Sequence, residues 1–230
     1  DNIHPNVMDQ PEEVPRRDLP ELPLFPLNVV LFPGMPLPLH IFEERYKTRI
    51  RDCLERKGPF GVVMIREGRE VGDPAEPFHV GTSARIVRVE YLDEGRMNIL
   101  TQGEHRFTTA EITQRLPHLV GRVRYLEEEA GDIPAELLAE AREGYAALLR
   151  NLTALTGGWT AQSEVPADPV RLSYEVAANL DLPRQVRQQV LELATARERL
   201  ELLLPSLKQG IETLRQEVVK RNPYQGPRLN

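Results

Sequence analysis

Five histidines, one cysteine and a scatter of arginines are the side chains of this 230-residue chain with chemistry to offer. A metal centre needs several ligands at helix or turn spacing, and His4, His40, His79, His105 and His118 fall singly on different predicted elements. No metal site follows from them. His105, in Gly-Glu-His-Arg-Phe, could hold an anion together with Arg106, although an ordinary strand position is the simpler reading. Cys53 excludes an internal disulfide and a cysteine zinc cluster, and its place on the apolar face of a predicted helix reads as a buried, inert thiol. The sequence has no Gly-x-x-x-x-Gly-Lys-Ser/Thr phosphate cradle, no Gly-x-Ser-x-Gly elbow and no His-Glu-x-x-His pair. Catalytic residues, metal ligands and a cofactor are therefore not assigned. Asn151-Leu152-Thr153 matches a glycosylation acceptor but falls in the middle of a predicted helix and is discounted.

Composition narrows the class further. Hydrophobic residues at 40% and charged residues at 28% are ordinary for a chain that packs a core, and 230 residues suffice for one large domain or two small ones. No run approaches the ~18 apolar residues of a membrane span, and the first 18 residues lack the apolar stretch of a signal peptide. With its lone cysteine, the chain is expected to be cytoplasmic. The net charge is −6, with −3 in residues 1–18, zero in 19–127 and −3 in 128–230. Nucleic-acid binding, which draws on clustered Lys and Arg, is disfavoured, although Arg85, Arg88, Arg122 and Arg124 could form a local patch on strands.

The elements that must position any site begin with an unusual stretch from Glu21 to Tyr46. Pro23, Pro26, Pro33, Pro36 and Pro38 each fix φ and remove a backbone donor, so the short apolar runs between them are strands with sharp corners. Such strands belong at the edges and bulges of a small distorted barrel. From Phe42 the period becomes helical: Phe42, Tyr46, Ile50 and Leu54 recur on one face, and Glu43 and Glu44 sit where a helix N-terminus favours negative charge. Phe60 to Ile65 is a buried strand and residues 66–78 a surface loop. Thr82–Leu92, a turn at Asp93-Glu94-Gly95 and a return from Met97 make a long hairpin, in which Gly103 marks a bulge or close backbone approach. Ala110 to Thr113 and Leu119 to Leu126 add strand material, for six or seven strands and one helix in all.

Beyond Gly131 the pattern is helical. Leu138, Ala141, Tyr145, Leu148, Leu152 and Leu155 make one helix of about six turns, stopped by Gly157-Gly158. Asp168-Pro169 opens a second helix and Asp181-Leu182-Pro183 a third. Thr195-Ala-Arg-Glu198 is a capping box for a fourth, carrying Leu200, Leu203, Leu207, Ile211, Leu214 and Val218 on one face. Pro205 falls inside it and predicts a kink. The expected organisation is a disordered lead-in at 1–18, a β-rich unit at 19–130, a helical bundle at 131–221 and a short tail at 222–230. The fold class is α+β.

Leu-Pro-Leu-Phe-Pro-Leu, Phe32-Pro33-Gly34, Pro38-Leu39, Glu44-Arg45-Tyr46, Val80-Gly81-Thr82 with Ala84, Gly103-x-x-Arg106-Phe107, Leu172 to Asp181 and Arg199-Leu200 together resemble the N-terminal, substrate-binding domain of the Lon protease family. The likeness covers about residues 20–220. It implies a PUA-like β pseudo-barrel followed by a helical bundle, and a role in recognising unfolded or tagged polypeptides and supporting assembly. Because the chain ends at Asn230, before an ATPase or Ser-Lys protease module could begin, the expectation is a stand-alone, non-catalytic member.

The leading functional expectation is a binding module that holds unfolded or apolar polypeptide segments, or a protein partner, in a cleft between barrel and bundle. Phe32, Met35 and Pro36 are its candidate contacts, because Phe32 and Met35 flank the Pro-Gly corner and a flexible thioether suits a tolerant apolar surface. An RNA-binding PUA-like protein and an enzyme with an unrecognised site are the alternatives. The oligomeric state is not determined by these features.

Overall fold

Proline placement shapes the first third of the chain. In the computed structural model, which describes residues 14–69, 75–156 and 164–221, β1 (Glu21–Leu27) carries Pro23 and Pro26, and β2 (Pro36–Ile41) carries Pro36 and Pro38. Between them Pro33-Gly34 makes a tight turn: the Met35 amide donates to the Phe32 carbonyl at 3.0 Å, and Gly34 supplies the positive φ of 79° that a side chain would resist. Helix α1 (Glu44–Arg56) follows, with Glu43 in extended geometry at its N-cap. Its buried face is Lys47, Ile50 and Cys53. Phe42 does not belong to this helix. It precedes the N-cap and is 50% exposed, so apolar periodicity placed the helix one residue pair too early.

Strands β3 (Phe60–Glu67), β4 (Glu76–Tyr91), β5 (Met97–Gln114) and β6 (Leu119–Tyr125) complete the sheet among the described residues. β1 pairs parallel with β3, every other pairing is antiparallel, and β6 bonds to both β1 and β5. Five strands thus pair in a ring, while β2 attaches to the first half of β5. Register shifts interrupt β3–β4, β4–β5 and β5–β6, so the result is a mixed, irregular sheet and not a clean barrel. The expected turn at Asp93-Glu94-Gly95 is present, held by the buried Lys47 ammonium, which donates to the Glu94 carbonyl at 2.8 Å. Ala110 to Thr113 is no separate strand. It continues β5, whose bulges let one long strand serve β2, β4 and β6. Gly103 sits at one such shift, where a β-carbon would collide with the Phe32 carbonyl oxygen.

The second half is helical: α2 (Ala135–Leu155), α3 (Pro169–Asn179), α4 (Arg184–Glu192) and α5 (Ala196–Arg221). The chain is therefore α+β with five α-helices among the described residues. Asp168 caps α3 by accepting from the Val170 and Arg171 amides at 3.2 and 3.1 Å. The capping box forms as read: the Glu198 amide donates to Thr195 Oγ1 at 3.2 Å, and the Thr195 amide to Glu198 Oε2 at 2.9 Å. α5 continues through Pro205 as one helix. Of the expected lead-in, only its end is described, and Arg16–Asp18 form a single 3-10 turn there. Residues 1–13, the tail at 222–230 and Gly157-Gly158 lie outside the described residues.

The largest core cluster joins the two halves. Val30, Phe32 and Met64 from the β-rich part pack with Tyr145, Leu148, Leu172, Tyr174, Leu200 and Leu203 from the helices. A second cluster, around Phe25, Ile50, Phe60 and Met97, fills the space between α1 and the sheet.

Candidate functional site

A cleft of about 1210 Å³ opens where the Pro-Gly turn faces α2 and α3. One wall is Pro33, Gly34, Met35 and Pro36, continued by Gln102 on β5. The turn is pinned to that strand, since Gly34 donates to the Gly103 carbonyl and Gly103 to the Met35 carbonyl, both at 2.9 Å. Val165, Pro166 and Ala167 lead into α3 on the opposite side, and Val170 and Ala178 add apolar surface. Arg142 holds that approach by donating to the Ala167 carbonyl at 2.6 Å. Gln102, Glu164, Asp168, Arg171 and Asn179 also line it, so apolar and polar side chains share the cleft about equally.

The polar groups at the base belong to two networks. Arg106, 1% exposed, donates to Glu128 Oε1 at 2.7 Å and to the Leu191 and Leu193 carbonyls at 2.8 Å. Arg199, fully buried, lies 3.5 Å from Glu128 Oε2 and donates to Ser173 Oγ at 2.8 Å. Tyr174 donates its hydroxyl to the same Glu128 oxygen at 2.7 Å, and the Arg199 guanidinium covers its ring at 4.2 Å. Beside this, Tyr145 donates to Glu175 Oε2 at 3.1 Å, while Arg171 donates to Oε1 at 2.8 Å. Burial holds the Tyr174 phenol well above its ordinary ionisation range, with the Glu128 carboxylate adding to the effect and the two guanidiniums opposing it. Burial and then Glu175 do the same to Tyr145. Among the described residues no group of three or more His, Cys, Asp and Glu could hold a metal ion.

The candidate contacts separate here. Met35 and Pro36 line the cleft, whereas Phe32 is 0% exposed and cannot touch an occupant directly. Its ring packs 6.0 Å from that of Tyr174 and under the Arg187 guanidinium at 4.9 Å, because the turn folds it inward to fill the joint between sheet and helices. His105 and Arg106 do not form an anion site. They alternate across the strand, His105 outward and Arg106 into the core, where its donors are consumed. The basic patch is diluted, since Arg85 pairs with Glu104 at 2.7 Å and Arg122 with Glu111 at 3.1 Å. Sequence reasoning missed Glu128, Tyr145 and Tyr174 as cleft residues. Glu128 stands in an acidic run after the last strand and Tyr145 on the apolar face of a helix, and neither carries a local signal of where the other half will pack. Arg106 and Arg199 each stand in a motif that carries the resemblance, Gly103-x-x-Arg106-Phe107 and Arg199-Leu200.

A family model described as the ATP-dependent protease La (LON) substrate-binding domain matches residues 21–209. Lon protease of Anaeromyxobacter dehalogenans is 32% identical over 91% of this chain, and Lon protease 2 of Myxococcus xanthus is 32% identical over 92%. In each case the chain covers 26% of the relative's length. A solved structure described as a Lon N-terminal domain protein from Xanthomonas campestris superposes with a TM-score of 0.64 at 28% identity, covering 81% of this chain and 98% of that one. The cleft, its polar base and the shared core are thus features of a chain that belongs to the Lon substrate-binding domain family.

Proposed function

We propose that this chain is a non-catalytic module that holds unfolded or apolar polypeptide segments in the cleft between the Pro-Gly turn and helices α2 and α3. The observation that carries the reading is the cleft itself. A flexible thioether at Met35 and prolines at 33, 36 and 166 offer apolar contact without demanding one partner shape. Pro36 and Pro38 also lack backbone donors, so β2, an edge strand with one partner, is poorly suited to receive a further strand. Side-chain burial in the cleft is then the mode of recognition, with Met35 and Pro36 as direct contacts and Phe32 as the support beneath them. Membership of the family supports a substrate-recognition role, and the five-stranded ring supports a PUA-like description of the β-rich half. A cytoplasmic location completes the proposal.

The test is binding of a permanently unfolded model polypeptide, followed by fluorescence anisotropy. Met35→Ser and Val165→Asp, each checked for an intact fold by circular dichroism, are expected to weaken it severalfold. Two folded variants that bind as tightly as the parent would overturn the assignment of the cleft.

A further inference from the structure

We infer that Met35 is an oxidation site whose sulfoxide disables the cleft, an inference that rests for its binding consequence on the polypeptide-binding reading above. Three methionines are described, and two are sealed: Met64 is 4% exposed and Met97 0%. Met35 alone among them lines an opening to solvent, half-buried on the turn that forms the cleft wall. Thioether oxidation follows access, so a peroxide entering the cleft meets this sulfur first.

A second feature sets the site apart from a merely exposed methionine. Arg187 Nη2 on α4 lies 3.6 Å from Met35 Sδ, and its Nη1 is fixed by the Ala177 carbonyl at 3.1 Å. Thioether sulfur is a weak acceptor, whereas a sulfoxide oxygen is a strong one, and a guanidinium already in place favours the oxidised side chain. The chemistry is a two-electron transfer. The sulfur lone pair attacks an oxygen of a hydroperoxide, the sulfur–oxygen bond forms as the O–O bond breaks, and an alcohol leaves, or water when the oxidant is hydrogen peroxide. No atom of the protein is lost, and sulfoxide reductases return the thioether. A polar, chiral group held against Arg187 then replaces the flexible apolar one in the wall, and apolar side chains lose a contact surface there.

Graded hydrogen peroxide on the folded protein, followed by tryptic digestion and mass spectrometry, separates Met35, Met64 and Met97 onto different peptides. Met35 should gain oxygen at least about tenfold faster than the other two, with the difference abolished in urea. The oxidised protein, still folded by circular dichroism, should bind the unfolded model polypeptide roughly fourfold or more weakly, the equivalent of one buried methylene. Met35→Leu, whatever its own starting affinity, should show no further loss after peroxide, and methionine sulfoxide reductase should restore the parent. Equal oxidation rates in the folded state, or full-strength binding by a protein carrying Met35 sulfoxide, would overturn the inference. Failure of the unoxidised protein to bind refutes the polypeptide-binding reading instead, and the order of oxidation still decides the site.

Discussion

Arg106 on β5 bonds Glu128 at 2.7 Å, and that contact fastens the sheet to the helices, because Arg199 of α5 and the Tyr174 hydroxyl of α3 meet the same carboxylate. Two buried guanidiniums therefore depend on one acidic group. Removing it as Glu128→Ala leaves uncompensated charge in the core, an effect of about 3–5 kcal/mol for a buried pair. Glu128 is 28% exposed, so water offsets part of this and the lower end is expected. A urea melt checks it, and a midpoint unchanged from the parent would mean that the carbonyls around Arg106 suffice alone.

Gly103 is the position where the close approach read from sequence becomes a constraint on function. Its backbone exchanges two hydrogen bonds with the turn, and a β-carbon would press on the Phe32 carbonyl, which is backbone and cannot swing away. Gly103→Ala is expected to cost about 1–3 kcal/mol or more, as overpacking does. Binding in the cleft should fall with it, since the wall that carries Met35 must shift. Full stability and full binding in this variant would show that the turn floats free of β5.

How much of this was legible beforehand differs between the fold and the cleft. Proline spacing, the Pro-Gly turn, the Asp93-Glu94-Gly95 turn and the Thr195 capping box are local devices, and each stands where its residues predict. Phe42 misled because a helix start depends on the cap and not on the apolar period alone. Phe32 misled for a related reason. A large apolar residue beside an exposed turn reads as surface until the partner helix is in place, and Tyr174 and Arg187 lie far along the chain. The base of the cleft is composed of residues from both halves, so no window of sequence contains it.

The last helix offers a graded stability series. Leu203 is 1% exposed, so Leu203→Ala should cost about 2–5 kcal/mol. Leu214 is only partly buried where α5 leaves the core, and its truncation should cost distinctly less. Thr195→Ala removes the hydroxyl that accepts from the Glu198 amide and should cost about 0.5–2 kcal/mol. Denaturant midpoints in any other order would contradict the packing of α5.

Tyr145 and Tyr174 link the cleft to alkaline stability. Both phenols are held above the ordinary value near 10, chiefly by burial. The unfolded chain releases these protons first, so their contribution is fully present below pH 10 and is lost as the pH rises beyond it. The unfolding midpoint should therefore fall above pH 10, and tyrosinate absorbance from these two residues should emerge only with unfolding. Tyr145→Phe with Tyr174→Phe should flatten that decline. An unchanged alkaline profile in the double variant would show that other groups govern it.

The final prediction separates apolar recognition from the phosphate-directed alternative. Acidic and basic residues balance over residues 19–127, two of the four candidate strand arginines are paired with carboxylates, and the apolar part of the cleft lining is proline, methionine, valine and alanine. Affinity for an unfolded polypeptide should then come from apolar burial, which salt screens little. Raising salt from about 50 to 200 mM should change that affinity by less than about threefold, whereas a protein neutralising several phosphates loses about 10³–10⁵ over the same range. The comparison needs one protein preparation, one unfolded polypeptide and one single-stranded RNA, titrated at each salt. Weak salt dependence for the polypeptide with its loss in Met35→Ser supports the cleft. Steep dependence, or tighter binding of the RNA than of the polypeptide, would move the site to the sheet face around Arg85, Arg88, Arg122 and Arg124.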